Sequence, residues 1–89
     1  MTRIERIRAA LQQKLEPFAV EIIDDSHLHA GHAGARDGRG HYTVRVVARC
    51  FEGLRPLARH RIVYAALGDM MDTDIHALVI EAVTPGEAG

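Results

Sequence analysis

Ile75-His76-Ala77-Leu78-Val79-Ile80-Glu81-Ala82-Val83 is the most continuously apolar run of the chain, and Thr84-Pro85-Gly86 closes it. Its length and its Val and Ile content predict a buried strand. Alternation puts Ile75, Ala77, Val79 and Glu81 on one face and His76, Leu78, Ile80 and Ala82 on the other, more apolar one. His76 therefore heads the strand where it enters the domain. An imidazole there is either a core histidine satisfied by a hydrogen bond or a metal ligand, and the strand alone leaves both open.

Working upstream, Pro56 suits an early position of a helix running to about Met71, with Leu57, His60, Val63, Tyr64, Leu67, Met70 and Met71 as its apolar stripe. Gly68 and the acidic stretch from Asp69 to Asp74 weaken and then end it. Before that helix, His41 to Cys50 alternates, with Tyr42, Val44, Val46, Ala48 and Cys50 on one face, which predicts a strand with an inward, inert thiol. Phe18 to Asp24 is a further strand, ended by the turn residues Asp24-Asp25-Ser26 and joined to the next as a long-looped hairpin. Thr2-Arg3-Ile4-Glu5 has the pattern of a capping box, and Ile4, Ile7, Leu11 and Leu15 make one stripe of a first helix that stops before Pro17.

The order is helix, strand, strand, helix, strand. The second helix is a crossover between strands two and three, so those two are expected to run parallel, with both helices on one face of the sheet. The expected fold class is α/β: one small domain over residues 1–89, a mixed three-stranded sheet covered on one side, and a frayed tail over 85–89.

With 47% hydrophobic and 26% charged residues the composition is that of a soluble globule, and no apolar run approaches the ~20 residues of a membrane helix. The N-terminal segment lacks the apolar core of a signal peptide, so the expected location is cytoplasmic, with no membrane partner. Cys50 is alone and can form neither an internal disulfide nor a cysteine-rich metal site. A Gly-x-Ser-x-Gly elbow, a phosphate-binding glycine loop and a His-Glu-x-x-His helix are all missing, so the sequence is not read as an enzyme.

Two local biases remain. Three of the six histidines, His27, His29 and His32, crowd a segment that continues through glycines 31, 34, 38 and 40, which reads as an exposed loop. Their spacing matches no closed zinc pattern, and a plain zinc or copper site on the loop is the weakest reading. Residues 34 to 61 hold seven arginines against Asp37 and Glu52, a local +5, while four basic and ten acidic residues elsewhere give −6. Within that basic middle, Arg55, Arg59 and Arg61 are the group that could grip phosphates, with few aromatic platforms nearby.

Together, Asp25-Ser26-x-x-His29, His41-Tyr42, Phe51-x-Gly53, Arg59-His60-Arg61-x-x-Tyr64, His76-Ala77-Leu78 and Thr84-Pro85 resemble the BolA-like proteins, in that family's order and spacing from Ile4 to Pro85. The resemblance implies a type II KH-like topology, in agreement with the element order. It also implies a [2Fe-2S] cluster shared with a monothiol glutaredoxin, which brings its own cysteine and a glutathione thiolate; none is expected in the isolated chain. The metal ligands it implies are His76, from the His-Ala-Leu motif, and His29 from the loop, with His27 and His32 as neighbours able to take that place. Imidazoles in place of thiolates lower the negative charge of such a centre and raise its potential.

The function expected on this basis is a non-enzymatic adaptor in iron–sulfur cluster trafficking, assembly or iron-responsive regulation. The alternative is a nucleic-acid-binding transcriptional regulator acting through Arg55, Arg59 and Arg61, for which only feeble DNA association is expected. The chain lacks the Gly-x-x-Gly loop that KH proteins carry between paired helices, having only Phe51-Glu52-Gly53 there, which weighs against single-strand binding of that kind.

Overall fold

In the computed structural model, which describes residues 1–26 and 38–89, the first helix α1 (Arg3–Leu15) starts at the capping box the sequence predicts. The Glu5 amide donates to Thr2 Oγ1 at 3.1 Å and the Thr2 amide to Glu5 Oε1 at 3.4 Å, pairing two of the donors that a helix start leaves open. At the other end Glu16 adopts φ 47°, ψ 56° and donates its amide to Gln12 O at 3.2 Å. That left-handed residue turns the chain through Pro17 into strand β1 (Ala19–Asp24).

β1 pairs antiparallel with β2 (Gly40–Val47), from Ala19 opposite Val47 to Asp24 opposite Tyr42. β2 pairs parallel with β3 (Ile75–Val83), so the sheet order is β1-β2-β3, and the crossover carries helices α2 (Pro56–Leu67) and α3 (Met70–Thr73). The expected mixed three-stranded α/β fold is the one present. Tyr42, Val44, Val46 and Ala48 line the covered face of the central strand and meet Ile7 and Leu11 of α1 and Val63, Ala66 and Leu67 of α2. Fully burying each such aliphatic side chain is worth about 1.5–3 kcal/mol, so this seam holds both helices to one face. A Cβ on Gly40 would come within 2.6 Å of the Tyr42 ring, which lies across the start of β2, so a larger residue there would have to displace that buried ring.

Three expectations fail locally. β2 stops at Val47, and a 3-10 turn over Arg49–Phe51 interrupts the alternation. Cys50 therefore faces outward and is exposed, while Phe51 is fully buried in the core in its place. Helix α2 ends at Leu67, because Gly68 takes φ 56°, ψ −129°, a backbone state that admits little but glycine. Its buried stripe is Val63, Ala66 and Leu67, whereas Leu57 is 62% and Tyr64 40% exposed; the apolar residues of the helix surround it too broadly for sequence to pick the face.

Residues Pro85–Ala88, expected as a frayed tail, form a short helix α4. It has its own capping box: the Glu87 amide donates to Thr84 Oγ1 at 3.2 Å and the Thr84 amide to Glu87 Oε1 at 2.8 Å.

Candidate functional site

At the end of the sheet where β2 and β3 begin, the register slips: Gly40 lies opposite Ile75, but His41 lies opposite Ala77. The extra residue is His76, and this bulge overrides the simple alternation. Ile75 turns fully into the core and Leu78 packs against it, while His76 between them is exposed rather than leading the apolar face. His76 is thus no core histidine.

His41, at the start of β2, is the buried histidine of this corner. It is 7% exposed, and its ring lies 5.2 Å from that of His76, centroid to centroid, tilted by 52°. The exit of β1 is tied to the same place. Asp25 donates its amide to His41 O at 2.7 Å, Ser26 Oγ accepts the His41 amide at 3.0 Å, and Thr43 Oγ1 donates to Asp25 Oδ2 at 2.6 Å. Asp24 Oδ1 accepts the Ser26 amide at 2.9 Å, the Asx turn that the Asp-Asp-Ser signal predicted. Ser26 therefore lies beside His41, and Arg39 lies beside His76. The loop histidines His27, His29 and His32 lie outside the described residues.

Arg39 completes the constellation. Its Nη1 donates to Met71 O at 3.3 Å, and its Nη2 lies 3.1 Å from His76 Nδ1. Sequence reasoning missed both His41 and Arg39 as neighbours of His76, because their meeting depends on parallel strand register and on the crossover placing Met71 beside β2. The entry to β3 is held by Asp74, which is buried and pairs with Arg6 of α1 at 2.7 Å and with Arg3 at 3.9 Å, while its carbonyl accepts the Gly40 amide at 2.9 Å. The histidine pair thus stands on a rigid frame.

Among the described residues, no three His, Cys, Asp or Glu side chains converge as a metal site. What this corner offers is one outward imidazole with a second behind it and no thiolate. Cys50 lies beyond the far end of β2, more than roughly 20 Å away at the usual strand rise. Partial desolvation holds its thiol above the ordinary value, against a weaker opposing backbone hydrogen bond, so it is no activated nucleophile.

The arginine group divides. Arg59 is committed within the fold: Nε donates to Leu54 O at 2.9 Å, Nη1 to Ala82 O at 3.1 Å and to Glu87 Oε1 at 2.6 Å, and Nη2 to Glu87 Oε2 at 3.2 Å. This bidentate pairing, aided by the Thr84 amide, pulls the Glu87 carboxyl down to about 2. Arg55 and Arg61 are exposed. Of the three arginines proposed for phosphate contact, Arg59 is the one engaged in these contacts within the fold.

Residues 11–87 match the family model described as BolA-like protein. The chain is 44% identical over 89 residues to "Protein BOLA1, chloroplastic" of Arabidopsis thaliana, covering 97% of this chain and 56% of that protein, so it spans little more than half of that relative's length. It is 35% identical to the "DNA-binding transcriptional regulator BolA" of Escherichia coli (strain K12), over 90% of this chain and 73% of that one. The solved structure of BolA1 from Arabidopsis thaliana superposes with a TM-score of 0.85 at 41% identity, covering 100% of this chain and 98% of the other.

Proposed function

The chain belongs to the BolA-like protein family, and from that premise we propose that it is a non-enzymatic adaptor that completes a [2Fe-2S] cluster carried by a monothiol glutaredoxin, in cluster trafficking, assembly or iron-responsive regulation. The observation that carries this reading is the outward exposure of His76 on a bulge at the rigid head of β3. A purely structural histidine there would be buried, as His41 is. The donor set fits: an exposed imidazole with no thiolate nearby suits a chain that finishes a centre supplied by a partner.

Bound there, the cluster would supply iron that accepts imidazole nitrogen, the partner glutaredoxin and glutathione bringing the thiolates. This chain's part is to present His76, with His29 as the second ligand and His27 or His32 able to replace it. The folded frame of Asp74, Arg6 and the β2–β3 register preorganises His76, whereas a loop ligand carries an ordering cost of about 1–2 kcal/mol per fixed residue.

The test mixes the chain with a monothiol glutaredoxin, iron, sulfide and glutathione and records visible absorption and circular dichroism. His76→Ala is expected to abolish the bands of the bridged heterodimer, and His29→Ala to leave weaker or altered ones. Unchanged bands with His76→Ala would overturn the assignment.

A second reading draws on the name of the Escherichia coli relative. Exposed Arg55 and Arg61 could approach phosphates, but with Arg59 committed to Glu87 the surface offers two contacts rather than three. Each such contact contributes a slope of roughly −0.9 in log affinity against log salt, so two give weak, non-specific binding. A tight, sequence-dependent duplex complex at physiological salt would promote this reading above the first.

A further inference from the structure

Among the described residues, Arg39 sets a charged side chain against the ring of the proposed ligand, and its chemistry constrains that ring. A guanidinium has only N–H donors, offers no lone pair and stays protonated. The 3.1 Å contact between Arg39 Nη2 and His76 Nδ1 is therefore a hydrogen bond donated to the Nδ1 lone pair, which leaves the proton of the neutral ring on Nε2. A metal needs a free lone pair on one of those nitrogens. At Nδ1 the lone pair is taken by Arg39. At Nε2 it is taken by the proton, and moving that proton to Nδ1 would set N–H against N–H at 3.1 Å.

We propose that Arg39 is a latch on His76, holding its imidazole in the non-ligating tautomer until the guanidinium swings away. This regulation rests on the cluster reading for its ligand, but the latch itself is a property of the free chain. Its second contact, to Met71 O at 3.3 Å, spans from the start of β2 to α3, so one planar side chain bridges the two elements that flank the histidine. The latch also discriminates between ligands. A thiolate-bound centre carries negative charge and gives the displaced guanidinium a new partner, whereas a bare divalent cation meets a blocked ring and a positive neighbour.

The experiment compares the wild-type chain, Arg39→Gln and Arg39→Lys without any cluster. Ring ¹⁵N shifts of His76, read where the imidazole is neutral, are expected to show the Nε2–H tautomer in the wild type and a mixture in Arg39→Gln. Zn²⁺ alone, followed at the same ring, should bind Arg39→Gln about three- to tenfold more tightly than wild type, the scale of one lost charged hydrogen bond at a partly exposed site. Arg39→Lys, which keeps the charge but cannot span both contacts, should fall between. A tautomer and Zn²⁺ affinity unchanged by Arg39→Gln, in a chain shown to be folded by its amide spectrum, overturns the latch. A shifted tautomer and tightened Zn²⁺ binding support it even where the glutaredoxin complex ignores both Arg39→Gln and His76→Ala; that last result defeats the cluster reading instead.

Discussion

Where β2 and β3 finish, Arg59 directs its guanidinium at two backbone carbonyls and both oxygens of Glu87; where they begin, Arg39 reaches, among the described residues, the Met71 carbonyl and a ring nitrogen of His76. The first arrangement satisfies both sides, because a carboxylate and carbonyls ask for nothing but donors. The second takes up a lone pair that a ligand would need. At the far end the arginine closes the structure, and at the near end it guards an exposed group. The same contrast separates the histidines, for His41 is packed into the frame and His76 stands out from it.

The contrast is sharpest in paired substitutions. His41→Ala should destabilise the fold by about 2 kcal/mol or more, through the cavity left by its buried ring at the head of β2, while His76→Ala should leave stability within about 0.5 kcal/mol and remove the cluster bands instead. Urea denaturation of both variants measures the first difference. Equal losses of stability would erase the division between frame and site.

A smaller effect is expected at the far end. Arg59→Ala strips donors from Leu54 O and Ala82 O and should cost about 2 kcal/mol, without altering the salt slope of any DNA association. A reduced slope in a folded Arg59→Ala chain would return that residue to the phosphate-binding group.

Acid sharpens the comparison further. The Glu87 carboxyl sits at about 2 in the fold against an ordinary value of 4.5, so its contribution to stability is fully present above pH 4.5 and is lost as pH falls through about 2. Denaturation followed between those limits should show a stability loss that Glu87→Gln flattens. The smallest effect is expected at Cys50: exposed on its 3-10 turn, it should tolerate Cys50→Ser within about 0.5 kcal/mol, with the cluster bands intact.

The two Thr-x-x-Glu boxes show how evenly local signals were written and how unevenly they were read. Thr2 to Glu5 announced α1 because an apolar period follows it; Thr84 to Glu87 carries the same reciprocal caps but precedes only one helical turn, and the third partner that holds it, Arg59, lies far away in the chain. Cys50 was misplaced for a related reason. Alternation over Tyr42 to Ala48 continues through Cys50 in the sequence, whereas in the fold the chain turns over Arg49–Phe51 and the larger Phe51 side chain fills the core.

The sequence by itself determined the element order, the antiparallel hairpin, the parallel crossover and the family, because each rests on periodicity, breakers and motifs that are local in the chain. It also singled out His76. Only the tertiary structure decided that His76 faces outward, since a bulge of one residue in a parallel register reverses which side a side chain takes. Only the tertiary structure set Arg39 on its ring and Arg59 on Glu87, because contacts between residues 28 or more positions apart are fixed by packing and carry no local signature.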